Sequence, residues 1–220
     1  MDINEAIRER HSVRHFKNEP IKAEDKEKLE TLIKECNQES GLNIQLVIDD
    51  PACFKTFLAH YGYFKNVNNY IALAGKKSLE NLDELCGYYG EKIVLAAQIL
   101  GLNTCWVAGT YKKGKCKAAL ATDEKIVCVI AIGYGENTGT AHKSKPEEKL
   151  CDVPESERPD WFKAGLEAAI LAPTAINQQK FLVSLQDGQA VITTKGGAMT
   201  QIDLGIVKYN FDAASGHKCK

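Results

Sequence analysis

An α+β fold, with helices covering a sheet, is what this sequence predicts, and three observations predict it. Leu29, Leu32, Ile33 and Cys36 recur at i, i+3, i+4 and i+7, which places apolar side chains on one helical face. Ile126 to Ile132 is an unbroken, largely β-branched apolar run and reads as a buried strand. Ile93 to Leu100 is apolar on nearly every face except Gln98. A helix that is hydrophobic all round is a buried one, so this segment is expected to be the central helix.

The remaining elements follow in order. Residues 3–9 read as a short helix carrying Ile3, Ala6 and Ile7 on one side. Pro20 leads into the helix of Leu29 and Cys36, and Gly41 ends it. Ile44 to Ile48 and Tyr70 to Ala74 read as strands, the second preceding Gly75. The strongest helix spans 83–100, with Gly90 interrupting it and Gly101 placed to cap it. Thr104 to Val107 is a short extended piece before the strand at 126–132. Residues 136–158 are polar and rich in Lys, Glu and Pro, and read as a surface connection. Helix 161–171, strands Phe181–Leu185 and Ala190–Thr194, and helix 202–215 complete the chain. Elements of both kinds interleave, as expected for helices packed on a sheet.

Bulk properties narrow the function classes. A chain of 220 residues permits one large domain or two small ones. Hydrophobic residues make up 44% and charged residues 26%, with a net charge of −1. That balance argues against nucleic acid or an anionic membrane as partner. No apolar run is long enough to span a bilayer. Asp2, Asn4 and Glu5 open the chain without the apolar stretch of a signal peptide. Eight cysteines are dispersed with no C-x-x-C pair, which predicts reduced, mostly buried thiols in a cytoplasmic protein. Five scattered histidines offer no metal-ligand spacing. No side-chain cluster resembles a nucleophile with its base, so no catalytic residue is predicted from the protein itself.

Several stretches have the chemistry of a binding site. Arg10-His11-Ser12-Val13-Arg14 follows a short helix. If extended, it presents Arg10, Ser12 and Arg14 on one side, a donor set suited to a phosphate dianion. A solvated surface paired with Glu5 or Glu9 would have the same residues. Thr104-Cys105-Trp106-Val107-Ala108-Gly109 ends a strand in small residues, where backbone N–H groups can approach a ligand. A plain exit from the strand explains it equally. Ala172-Pro173-Thr174-Ala175-Ile176-Asn177-Gln178-Gln179 stops a helix and supplies hydroxyl and amide groups suited to a polar heterocycle, or to an ordinary polar loop. His142-Lys143-Ser144-Lys145 adds cations on what also reads as a surface loop. Gly133-Tyr134-Gly135 through Gly139 has G-x-G-x-x-x-G spacing and no following helix, so it is not a dinucleotide fingerprint.

Gly90 and Gly101, and again Gly205 and Gly216, lie eleven residues apart around helical segments. An old internal duplication and the frequency of glycine-closed helices both account for this.

In their order along the chain, these segments resemble the FMN-dependent nitroreductases. The likeness rests on Arg10 to Phe16, Gly90 to Ala97 with Gly101 to Gly109, Lys143-Ser144-Lys145, and Ala172 to Gln179. Gly101 to Gly109 is most similar to the internally duplicated, single-chain branch known as putative TM nitroreductases. The resemblance implies an α+β fold with a mixed sheet around a buried central helix, and two degenerate repeats that mimic a family dimer. It divides the chain into a first half, 1–140, a connecting segment, 141–158, and a shorter second half, 159–220.

Ordinary members carry their A-P-S-type loop after the second helix. Here that place holds Glu35 to Leu42, which does not match, and the matching loop comes after residue 171. The resemblance therefore implies that the second half acts as the partner subunit in cis, which allows a monomer. It implies an FMN-binding, NADH- or NADPH-dependent oxidoreductase acting by ping-pong hydride transfer on a small flat electron acceptor, such as a nitroaromatic or quinone. A non-enzymatic flavin binder is the alternative.

The implied cofactor residues are Arg10, His11, Ser12 and Arg14 at the phosphate and pyrimidine side, with Lys143 and Lys145 adding cations. The backbone of Val107, Ala108 and Gly109 would offer N–H groups to the flavin N5 and O4 edge, with Trp106 also at the cofactor. Pro173, Thr174, Ala175, Asn177 and Gln178 approach the ring and ribityl from the other side. Trp106, Tyr61, Tyr63 and Phe64 would shape a stacking pocket or pack the core.

Overall fold

Four strands pair antiparallel in the order β1-β2-β4-β3 in the computed structural model, which describes residues 1–57 and 61–220. They are β1 (Gln45–Val47), β2 (Asn69–Lys76), β3 (Asn103–Val107) and β4 (Glu124–Gly133). Among the described residues the helices include α1 (Ile3–Glu9), α2 (Ala23–Ser40), α3 (Leu82–Ile99), α4 (Asp160–Ile170) and α5 (Thr200–Ser215). A separate hairpin pairs β5 (Phe181–Gln186) with β6 (Gln189–Thr194).

The chain forms two compact units, neither contiguous in sequence. The sheet unit comprises Arg10–Leu82 and Ile93–Thr140, and the hairpin unit comprises Met1–Glu9, Asp83–Lys92 and Ala141–Lys220. Helix α3 contributes residues to both.

In the sheet unit, the apolar run 126–132 becomes β4, flanked by β2 and β3. Ile126, Cys128, Val129, Ile130, Ala131 and Ile132 are buried, as a central strand covered on both faces requires. Among the described residues the strands pair antiparallel, and the parallel contribution to the sheet comes from the isolated bridges Ser12–Thr104 and His15–Lys65. Helix α2 buries Leu29, Ile33 and Cys36 on one face. It ends at Gly41, whose left-handed φ of 71° lets its N–H bond the Asn37 carbonyl. Ile93, Val94, Leu95 and Ala97 of α3 are fully buried. The last turn departs from the all-round burial expected. Ile99 is 42% exposed, and Ala96, Ile99 and Leu100 line an apolar groove with Lys28, Leu29 and Leu32 of α2.

In the hairpin unit, α1 starts with a reciprocal cap. The Asp2 carboxylate accepts from Glu5 N at 2.8 Å and the Glu5 carboxylate from Asp2 N at 2.9 Å. Asp187-Gly188 turns β5 into β6 with positive φ at both residues, the conformation of a tight two-residue hairpin loop. Helices α4 and α5 pack through Phe162 and Phe211, whose ring centroids are 5.7 Å apart. A Cβ at Gly165 would meet the Phe211 ring at 2.6 Å.

The first part of α3 crosses α5 at backbone contact. A Cβ at Gly87 would lie 2.0 Å from the Ile202 carbonyl oxygen, and one at Gly205 would lie 1.9 Å from the Glu84 carbonyl oxygen. Polar pairs flank that crossing: Lys208 Nζ to Glu84 Oε1 at 2.6 Å and the Tyr88 hydroxyl to Asp212 Oδ2 at 2.9 Å. The segment expected to be a surface connection is partly core. Leu150, Cys151 and Val153 are buried, and Cys151 bridges Val183 of β5.

Candidate functional site

The residues singled out in the sequence fall into two groups, one in each unit. In the sheet unit the N-terminal segment lies along the outer edge of β3. Ser12 bridges Thr104, and Val13 N donates to the Thr104 carbonyl at 2.9 Å. Backbone that would otherwise be an open sheet edge is thus covered.

The loop after β4 closes over the same segment. Lys17 N donates to Tyr134 O at 2.8 Å, and Glu136 N to His15 O at 2.9 Å. This explains the glycines that imitate a dinucleotide motif. A Cβ at Gly133 would press on the Phe16 ring at 3.2 Å, and one at Gly135 on Val13 Cγ1 at 3.0 Å. At Gly139, with φ of 76°, it would meet His11 Cβ at 2.7 Å. The glycines let two backbone segments approach, which is a packing role.

Arg10, Ser12 and Arg14 converge on Cys105 of β3. Burial pushes the Cys105 thiol up, while the Arg14 charge, a hydrogen bond with Ser12 and the Arg10 charge act in the opposite direction. Arg10 is 4% exposed, Ser12 is half-buried and Arg14 is exposed. Two cations and a hydroxyl therefore act on Cys105 at the edge of β3. Trp106, half-buried, and Val107, buried, end that strand. Ala108 and Gly109 continue beyond the last ladder pair, Val107 with Val129. A Cβ at Gly109 would meet nothing within 4 Å, so backbone there borders open space. Of the other aromatic candidates, Tyr61 and Tyr63 are exposed. Phe64 packs on Phe54 with centroids 5.3 Å apart.

In the hairpin unit, Lys143 and Lys145 adjoin the loop 172–179. Asn177 Nδ2 donates to Lys143 O at 2.9 Å, and Gln179 Nε2 to the same carbonyl at 3.0 Å. Lys145 N donates to Gln179 Oε1 at 2.8 Å. Lys145 Nζ reaches the carbonyls of Gln178 at 2.6 Å and Gln179 at 3.0 Å.

Lys145, read from sequence as a cation for a phosphate, lies with its Nζ on two carbonyls of this loop. Asn177 and Gln178, expected to offer amides to a heterocycle, also spend donors internally. Gln178 Nε2 donates to Asp203 Oδ2 at 2.7 Å and to Ala198 O at 3.1 Å. The physical reason is that a loop leaving a helix with Pro173 must satisfy its own backbone groups. Thr174 Oγ1 accepts from Gln179 N at 3.1 Å, and Pro173, Thr174 and Ala175 are half-buried. Lys143 extends an exposed side chain.

Two features of this loop were not legible in the sequence. Ile176, Asn177 and Gln179 have φ of 48°, 55° and 42°. Left-handed backbone at a β-branched residue is an outlier that surrounding structure must hold in place, and Ile176 is 98% exposed. Asp203 in the first turn of α5 is the holding group. It is 6% exposed and accepts from Ala175 N at 2.9 Å as well as from Gln178. Burial raises its carboxyl above the usual aspartate range, and those two hydrogen bonds pull against the rise.

The antiparallel sheet with its edge-bound N-terminal segment, the long α3 and the appended hairpin define a chain of the nitroreductase-like fold class. The fold is shared with a putative nitroreductase from Thermotoga maritima, at 23% identity and a TM-score of 0.70, covering 97% of this chain and 83% of that one. It is also similar to a putative nitroreductase in complex with FMN from Desulfovibrio desulfuricans, at 20% identity and a TM-score of 0.53 over 69% of this chain and 96% of that one. An FMN-dependent nitroreductase from Clostridium difficile R20291 matches at 17% identity and a TM-score of 0.50 over 70% and 96%. At these identities the likeness is one of fold.

The sequence profile of the family described as putative TM nitroreductase matches residues 2–215, and the chain belongs to that family. A comparison with curated proteins found no match. Among the described residues no helix is long and apolar enough to cross a membrane.

Proposed function

We propose that this chain is an FMN-dependent oxidoreductase that draws on NADH or NADPH and reduces a flat acceptor, such as a nitroaromatic or a quinone. Family membership supports the class of chemistry. The observation that carries the cofactor is the placement of Arg10, Ser12 and Arg14 along the edge of β3, beside Thr104 and Cys105.

That donor set fits FMN. Two guanidinium groups and a hydroxyl match a phosphate dianion in charge and in hydrogen-bond number. Arg14, exposed, is the group that would grip it bidentately, and buried Arg10 adds a fixed positive charge. Ser12 adds a hydroxyl donor, and His11 is held between them under Gly139. Val107, Ala108 and Gly109 would offer backbone N–H groups to the ring edge, with Trp106 beside them. When bound, FMN supplies the hydride chemistry at its N5, so the protein needs no nucleophile or acid–base pair of its own. In the hairpin unit, the left-handed backbone of the loop 172–179, held by Asp203 and Lys145, supports a functional role for that segment. One arginine segment per chain gives one FMN per chain.

The test is spectroscopic. Purified chain incubated with FMN is expected to retain one flavin and to lose the oxidised flavin absorbance when NADH or NADPH is added anaerobically. Arg14→Ala should weaken FMN binding by about ten- to a hundredfold, the loss of one charge-assisted phosphate contact. Absence of bound flavin after incubation overturns the cofactor assignment. Bound flavin that neither nicotinamide reduces overturns the oxidoreductase and leaves a non-enzymatic flavin binder.

A further inference from the structure

Cys53 and Cys116 form a thiol pair in the sheet unit that the proposed flavin chemistry does not use. Cys53 is fully buried in the turn that follows Asp50 and Pro51. Cys116 comes directly after the 3-10 turn Lys113–Lys115 and is half-buried against the same apolar cluster. Their side chains are hydrogen-bonded to each other.

Backbone contacts hold the two loops together on both sides of the sulfurs. Lys112 N donates to the Cys53 carbonyl at 2.9 Å. Lys117 N donates to the Tyr70 hydroxyl oxygen at 2.9 Å, and that hydroxyl donates to Asp50 Oδ2 at 3.0 Å. Lys117 Nζ lies 3.4 Å from Asp50 Oδ1. Anchors at residues 112 and 117 bracket Cys116, and anchors at Asp50 and at the Cys53 carbonyl fix the buried partner. Two thiols on loops tied together in this way can approach without large movement of the backbone, which closing a disulfide requires.

The pair is also asymmetric. Cys116 reaches solvent while Cys53 does not. The hydrogen bond from the Cys53 thiol lowers Cys116, against burial and the Asp50 charge, whereas the bond to Cys116 and burial push Cys53 up. An accessible thiol beside a buried resolving thiol is the arrangement that exchanges with small disulfides.

We propose that Cys53 and Cys116 are a redox-active dithiol that a low-molecular-weight disulfide converts into an intramolecular disulfide. The Cys116 thiolate attacks one sulfur of the small disulfide. That S–S bond breaks, a mixed disulfide forms on Cys116, and one small thiolate leaves. Cys53 gives up its proton and attacks the Cys116 sulfur, expelling the second small thiolate, and the thiolates take up the released protons. Two protein thiols and one small disulfide become one protein disulfide and two small thiols. The protein loses two electrons and the small disulfide gains them. The product staples the loop after β1 to the loop that continues from Ala108 and Gly109.

The experiment exposes the whole chain at pH 7 to glutathione disulfide, blocks remaining thiols by alkylation, and maps unreduced peptides by mass spectrometry. The expected product joins the Cys53 and Cys116 peptides with the loss of two hydrogens. It should form about tenfold faster than any modification of Cys219, the other half-buried thiol, which burial and Asp212 push up. Cys53→Ser should stop the reaction at a glutathione adduct on Cys116, and Cys116→Ser should leave Cys53 unmodified. A stable glutathione adduct on Cys116 of the unaltered chain, or no reaction at either residue, overturns the proposal. The cross-link map of the unaltered chain decides the matter even where a serine variant fails to fold.

Discussion

Replacing Asp203 with alanine removes the group that holds Ala175 and Gln178. The carboxylate accepts at 2.9 Å from one and 2.7 Å from the other. Hydrogen bonds to a charged acceptor contribute about 1.5–3 kcal/mol each. The carboxylate is 6% exposed, and the cost of burying it offsets part of that gain. Truncation also leaves the Ala175 N–H short of its acceptor, and an unsatisfied buried donor costs about 1–3 kcal/mol.

The net expectation is a loss of about 2–4 kcal/mol, or a melting temperature lower by roughly 5–15 °C for a chain of this size. Hydrogen exchange at Ala175, Asn177 and Gln178 should accelerate more than exchange in β4, because the loop loses its clamp before the sheet opens. Asp203→Asn should cost less, since its carbonyl oxygen still accepts from Ala175. An alanine variant as stable as the parent, with unchanged exchange at residues 175–178, would show that Asp203 does not hold this loop.

Two further outcomes follow from the same structure. Gly205→Ala should destabilise by about 3 kcal/mol or more, despite a helix-propensity gain of about 1 kcal/mol, because its methyl would lie 1.9 Å from the Glu84 carbonyl oxygen. Gly114→Ala, which meets nothing within 4 Å, should leave denaturant midpoints unchanged or slightly raised; equal effects at both positions would refute the backbone crossing. The Asp203 carboxyl, raised by burial, binds its proton more tightly in the folded chain than in the unfolded one. The stability this gives is complete below about pH 4 and is lost as pH rises through the folded value. The stability of the parent relative to Asp203→Asn should therefore fall with rising pH over that window in denaturant titrations, and a rise would reverse the assigned sign.

What the sequence made legible was local. The apolar run 126–132 had to be a central strand because nothing polar interrupts it, and the spacing of Leu29, Ile33 and Cys36 fixed the inner face of α2. Arg10, Ser12 and Arg14 were recognisable because their spacing and chemistry lie in one short segment. The hidden parts depend on contacts between elements distant in sequence. Asp203 reaches back to Ala175 from another helix, and an acidic residue in a first helical turn is common for reasons of the helix dipole alone. Cys53 and Cys116 lack any spacing signal because the sheet unit brings their loops together. Left-handed backbone at Ile176 runs against the residue's own preference, so local propensity pointed away from it. The amides of Asn177 and Gln178 looked available because sequence shows donors but not where they are spent.

Where α3 and α5 cross, each glycine faces the other helix's carbonyl oxygen and not a side chain. A damaging substitution in an ordinary core can be relieved by trimming the residue opposite. Neither Gly87 nor Gly205 has an opposing side chain to trim, since the obstacle is main chain on both sides. A selection for second-site suppressors of Gly205→Ala should therefore return true revertants at position 205 and no compensating residue at 87. For the history of this chain, that makes the crossing a pair of positions that cannot drift in turn.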